Sequence, residues 1–201
     1  MVKCYSIEGV TPVVHPETYV HPTAILIGDV IIGAGCYIGP GASLRGDMGR
    51  ILIGDGCNVQ DNCIIHGYPE TDTVLEDWGH VGHGAVLHCC HVKRNALVGM
   101  NSVVMDGAII GESSFVAAMA FVKAGFELPD RSLAAGTPAK IVRKLTDEEI
   151  EWKSEGTREY QRLTKRCQQS MVEAVALNEV EADRPRVSMS SYVSLHKTKD
   201  S

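Results

Sequence analysis

The stretch Val86–Leu128, VLHCCHVKRNALVGMNSVVMDGAIIGESSFVAAMAFVKAGFEL, places an aliphatic residue at every sixth position: Val86, Val92, Val98, Val104, Ile110, Val116, Val122 and Leu128. An amphipathic helix repeats at 3.6 residues and a half-buried strand at 2, and neither keeps a strict six over such a distance. Upstream, Val14, Val20, Leu26, Ile32, Ile38 and Leu44 keep the same step, and Ile53, Val59 and Ile65 keep it in another phase. Four residues after these stops the side chain is mostly small, as at Ala24, Cys36, Ala42, Cys57, Cys63, Cys90, Ala96, Ser102, Ala108, Ser114 and Ala120. Each six-residue unit reads as one short strand and one corner. The aliphatic residue fills the interior, the small one fits near the corner, and Gly or Asn takes the awkward backbone angles. Three units make a coil of about 18 residues, and the coils stack into a three-sided prism.

Composition agrees. Two Trp, six Tyr and three Phe in 201 residues leave the core to Val, Ile, Leu and Ala. A net charge of −6 argues against a sequence-independent nucleic-acid binder. The start, MVKCYSIEGV, has no apolar signal-peptide region, and no apolar run is long enough to span a membrane. Seven cysteines with no Cys-x-x-Cys pair point to a reduced, cytoplasmic protein, and Cys89 is the best candidate for a reactive thiol.

The repeat breaks twice, between Leu44 and Ile53 and between Ile65 and Val81. Insertions into a solenoid become loops on one face, so a loop is expected near 67–80. The expected organisation is a β-helix over 1–145, a C-terminal helix over 146–177 and a polar tail over 178–201. Thr146-Asp147-Glu148-Glu149 is a capping box, and Tyr160, Leu163, Cys167, Met171 and Ala174 follow at helical spacing.

Of the eight histidines, His15, His21 and His196 read as corner or tail residues, while His66, His80, His83, His88 and His91 crowd around the second break. His66 follows the stop at Ile65, and His88 follows Leu87 one coil later. Equivalent slots in stacked coils lie about 4.8 Å apart, close enough for two imidazoles to share one ion. His83 starts from a different place on the coil and does not reach that ion within one subunit. A three-fold oligomer brings a neighbour's His83 to the pair. Three neutral imidazoles leave zinc an open fourth position and lower the pKa of a bound water to about 7; iron or cobalt accepts the same ligands. The alternative is a set of corner histidines bound to backbone carbonyls. The sequence gives no role for His80 or His91.

Arg45-Gly46-Asp47, Asn58-Val59-Gln60-Asp61, His66, and Gly82-His83 with His88 occur in an order that resembles the γ-class carbonic anhydrase-like hexapeptide-repeat family. The resemblance covers residues 1 to roughly 185 and implies an all-β fold, a left-handed parallel β-helix with a C-terminal α-helix. It implies a homotrimer with zinc held by His66, His83 and His88 across the subunit interface. It also implies that Arg45 and Asp61 link subunits, that Gln60 orients the metal-bound water, and that the tyrosine of the pair Trp152 and Tyr160 reaches toward the site. Asn58 and Asp47 belong to the matched motifs; for Asp47 a structural turn role stands beside a supporting role in the site.

Within the family, PVVHPETYVHPTAILIGDV, QDNCIIHGYPETDT, RNALVGMNSVVMDGA and WKSEGTREYQ are most similar to a branch of phenylacetate-degradation thioesterases. That likeness implies a zinc-dependent hydrolase of acyl-CoA thioesters, on ring-hydroxylated phenylacetyl-CoA-type esters, using a metal-bound hydroxide. Met48 and Pro69 stand where prototype carbonic anhydrases of this class carry glutamates, one of them ferrying protons, which disfavours fast CO2 hydration. A metal-free hexapeptide acyltransferase and a non-enzymatic trimeric scaffold are the competing readings of the same repeat. Neither nucleic acid nor membrane is an expected partner.

Overall fold

The computed structural model describes residues 2–187, and these form a left-handed parallel β-helix of about seven turns closed by one helix. The part of the expected tail at 188–201, with His196, lies outside the described residues. Three ladders of parallel strands make the faces. On the first face, Ile25–Ile27 pairs with Ser43–Arg45, Arg45 pairs with His66, and His66 pairs with His88. On the second, Leu52 pairs with Val74 and Val74 with His91. On the third, Tyr37–Ile38 pairs with Asn58–Val59, which pairs with His80–Val81.

The interior is the aliphatic column that the period predicts: Leu26, Ile38, Leu44, Val59, Ile65, Val98, Val104, Ile110, Val116 and Val122 are fully enclosed. The small slots are equally buried. Cys and Ser are tolerated there because a neighbouring coil offers each a carbonyl: the Cys36 thiol reaches Gly54 O at 3.1 Å, Cys57 reaches Glu76 O at 3.1 Å, and the Ser114 hydroxyl donates to Pro129 O at 2.7 Å. At the corners, Asn101 (φ 53°) and Gly107 (φ 66°) take the left-handed conformation that Asn and Gly adopt most readily.

Three details differ from the sequence reading. Val86 is not a core stop. Its neighbour Leu87 is fully buried and pairs with Val104, so the chain turns the next corner one residue early, through Cys89 at φ 44°. The first break is no loop. Ser43–Ile53 is one continuous strand that rounds a corner, pairing first with Ile64–His66 and then with Thr73–Leu75. The second break is shorter than 67–80. The repeat resumes at buried Leu75, six residues before Val81, so the inserted loop is 67–72 and residues 76–79 are an ordinary corner between strands.

The helix spans Asp147–Ser170, with Thr146 as N-cap and the reciprocal Glu149 bonds of a capping box. It lies along the third face. Lys153 Nζ donates to Trp78 O (2.6 Å) and Asn95 Oδ1 (2.8 Å), Gln161 donates to Gly56 O, and Thr164 donates to Cys36 O. It runs back toward the first coil, where Gln168 reaches Pro16 O. Its 24 residues span about 36 Å, slightly more than seven rungs at about 4.8 Å. The helix therefore ends where the prism surface ends, at Ser170 rather than near 177. Residues 171–187 are exposed and carry no helix or strand.

Candidate functional site

His66 and His88 occupy matched positions at the ends of neighbouring first-face strands, and their rings meet: His66 Nδ1 lies 3.2 Å from His88 Nε2. The nitrogen at the back of each ring is held by a carboxylate. His66 Nε2 is 3.1 Å from Asp47 Oδ1, and His88 Nδ1 is 2.5 Å from Asp106 Oδ1. Asp47 is gripped in turn by Arg45, which donates to both its oxygens at 2.9 and 2.7 Å. Burial raises the Asp47 carboxyl, but the hydrogen bond and charge of Arg45 and the bond from His66 outweigh it and hold the acid ionised. Burial likewise raises Asp106, and the bonds from His88 and Cys89 bring it below its usual value.

This wiring bears on metal binding. If both back nitrogens donate to carboxylates, each ring is neutral and points a lone pair at the other across 3.2 Å. Facing lone pairs need a proton or a cation between them, and carboxylate-backed imidazoles are the usual dress of metal ligands. The donor set fits a divalent ion. His88, Cys89 and Asp106 also bring ligand atoms within 4.8 Å of one another, a grouping that does not include His66. Burial pushes the Cys89 thiol up and the nearby Asp106 carboxylate adds to it; the Tyr68 N–H that the sulfur accepts at 2.9 Å opposes them without cancelling them, and the net rise disfavours a free thiolate nucleophile.

The structure does not bring His83 to this pair. His83 sits at another corner, between third-face His80–Val81 and first-face Val86–His88, and its Nδ1 lies 2.8 Å from Asp61 Oδ2. Within the chain Arg45 therefore pairs with Asp47 and Asp61 with His83. His83 instead borders a cavity of about 770 Å3 between the third face and the helix, lined also by Gln60, Phe115, Leu133, Trp152 and Tyr160. Tyr160 packs its ring against Tyr37 and edge-on against His80, each with centroids 5.4 Å apart. Gln60 Nε2 lies 2.8 Å from both Asn58 Oδ1 and His80 Nε2.

Sequence reasoning missed Asp106 and left His80 without a role. Asp106 follows His88 by 18 residues, one coil, and that spacing was the available signal. Tyr68, on the 67–72 loop, stands edge-on over the His88 ring with centroids 4.7 Å apart, and no periodicity marks it. His91 pairs with Glu76 on the second face, away from the site.

A coiled prism with a carboxylate-backed histidine pair at one corner defines a hexapeptide-repeat protein, and the comparisons with known proteins agree. The model of the bacterial transferase hexapeptide (six repeats) matches residues 11–46. The chain belongs to the hexapeptide-repeat transferase family, in the part of it that holds the carnitine operon proteins CaiE. It is 60% identical over 186 residues to CaiE of Proteus sp., covering 92% of this chain and 94% of that one. Against CaiE of Escherichia coli K12 it is 58% identical over 183 residues, covering 91% and 93%. Among solved structures it is similar to a candidate acetyltransferase of Bacillus cereus, with a TM-score of 0.82, 34% identity and coverage of 84% and 98%. A hexapeptide transferase family protein of Anaplasma phagocytophilum gives a TM-score of 0.79, 37% identity and coverage of 82% and 97%.

Proposed function

We propose that this chain is a metal-dependent hydrolase of acyl-CoA thioesters that works as a homotrimer, with His66 and His88 of one subunit and His83 of its neighbour as the metal ligands. The observation that carries the reading is the His66–His88 contact with a carboxylate behind each ring. A divalent ion, zinc by preference and iron or cobalt by the same donors, supplies a Lewis acid for the thioester carbonyl and an acidified water. The chain's own residues do the rest. Asp47 and Asp106 fix the tautomers and directions of the two rings. Gln60 places a polar group beside His83. The cavity under the helix, walled mostly by apolar side chains with Gln60 and His83 among its polar ones, accepts the acyl group with its carbonyl toward those two.

The likeness to phenylacetate-degradation thioesterases such as PaaY supports a ring-hydroxylated phenylacetyl group, and the walls of Phe115, Trp152 and Tyr160 suit an aromatic ring. The CaiE relatives, named for a carnitine operon, favour a CoA ester of carnitine as the competing substrate. Metal analysis of the purified protein, its mass in solution, and thiol release from both esters test the reading together. Bound metal, a trimer and release that disappears in His83→Ala and His88→Ala support it. Full-rate release by either folded variant overturns it.

The second reading is an acyl transfer from CoA to an acceptor, favoured by the structural likeness to the Bacillus cereus candidate acetyltransferase. Acyl product appearing on an added amine or alcohol, at a rate untouched by chelation, would establish it. Rapid CO2 hydration is the third, and Met48 and Pro69 stand against it.

A further inference from the structure

Gln60 meets the cavity through a carboxamide whose two ends are chemically opposite, one donor and one acceptor. Which end faces outward decides what it can orient. Gln60 Nε2 carries two protons and lies 2.8 Å from two groups, Asn58 Oδ1 and His80 Nε2. His80 Nδ1 lies 3.2 Å from the hydroxyl of Thr157, a fully buried residue on the C-terminal helix. Thr157 has one hydroxyl proton, and Lys153 O, one turn back in the helix, accepts it at 3.3 Å. Thr157 can then only accept from His80. That fixes the proton on His80 Nδ1 and leaves His80 Nε2 as an acceptor, which in turn claims the amide end of Gln60.

We infer that Thr157 and His80 are positioning residues that turn the Gln60 carboxamide so that Oε1, a hydrogen-bond acceptor, faces the cavity beside His83. The C-terminal helix is thereby part of the site and not only a strut. Asn58 accepts from Gln60 through its oxygen, and its Nδ2 is left buried without a partner among the described residues, which is the cost of this setting. The opposite setting, with the Gln60 oxygen inward, requires Thr157 to give its proton to His80 and abandon Lys153 O. Burial presses the His80 imidazole to about 3, so protonation does not scramble the relay near neutrality.

The inference rests on the proposed hydrolysis only for its kinetic arm. The full chain, labelled with 15N-histidine, is compared with His80→Asn to assign the His80 ring signals, and the tautomer is read directly. The expected result is Nδ1–H at His80 in the native chain and loss of that state in Thr157→Val, with Thr157→Ser restoring it. In thioester hydrolysis, Thr157→Val lowers kcat about 10- to 100-fold, the usual range for partners that orient a site residue, with KM little changed. Thr157→Ser recovers the rate. Nε2–H in the native chain, or an unaltered tautomer in Thr157→Val, overturns the inference. If no thioester is hydrolysed by any form, the proposed function fails while the tautomer still decides this relay.

Discussion

Asp106 Oδ1 and His88 Nδ1 lie 2.5 Å apart although 18 residues separate them, because the next coil, in which Val104 pairs with Leu87, brings the chain back beside His88. The contact gives His88 its tautomer and aims Nε2 at His66. Asp106→Asn keeps the size of the side chain and removes its charge. The expected outcome is a metal affinity 10- to 100-fold weaker with the fold intact, measured by chelator competition and circular dichroism. Unchanged affinity means that Asp106 does not support the ion.

Leu87 and Val86 are adjacent, and only Leu87 is fully buried. Leu87→Ala should destabilise the protein by about 2–5 kcal/mol through lost burial and a residual cavity. Val86→Ala should cost less than about 1 kcal/mol, the range for a side chain outside the core. Denaturant unfolding of the two variants checks the phase of the repeat, and equal losses would restore Val86 to the core.

Two bases enclosed under the helix, buried Lys153 and half-buried His80, set the pH dependence of stability. Burial lowers Lys153 to about 7 and His80 to about 3 in the folded protein, both below their unfolded values. Between each folded value and its unfolded one, the unfolded chain binds a proton that the folded chain does not. Stability therefore rises with pH from about 7 toward 10 through Lys153, and falls as pH drops from about 6.5 toward 3 through His80. Thermal melting across this range should show Tm climbing above neutrality, and Lys153→Met should flatten that climb.

Gly49 holds the 67–72 loop against the site. A Cβ on Gly49 would meet Tyr68 O at 2.3 Å and Thr71 O at 2.8 Å, backbone atoms that cannot swing away. Gly49→Ala should displace the loop, take Tyr68 off the His88 ring and expose the Cys89 thiol that accepts the Tyr68 N–H. Faster labelling of Cys89 by a thiol reagent, relative to Cys4, checks it, and an unaltered rate counts against the loop being pinned there.

Much of the fold was legible because a six-residue period leaves few ways to bury one face. The columns from Val14 to Leu44 and from Val92 to Leu128 face inward as the spacing predicts, apart from the half-exposed first stop, Val14. The capping box at Thr146 and Glu149 was equally plain, since its bonds are local. Val86 misled because a strand alternates sides at each residue, so one residue fewer at a corner exchanges the inward and outward sets. Leu75 was hidden because the loop before it breaks the count.

The site was legible in part. His66 and His88 could be paired from the stops they follow, since pairing within a ladder depends only on register. The relay from Asn58 and Gln60 through His80 to Thr157 could not, because its last link joins residues 77 apart in the chain through the docking of the helix. The partners of Arg45 and Asp61 were also beyond the sequence, because two acids and two bases near one edge allow more than one pairing and local geometry chooses.

By itself the sequence determined that the chain winds into a prism with histidines gathered at its second interruption, because burial of one aliphatic residue in six is a local rule repeated along the chain. Only the tertiary structure decided which polar groups touch. Those contacts run between coils and between coil and helix, and their geometry turns on a corner one residue short, a strand bent across two faces and a helix as long as the surface beneath it.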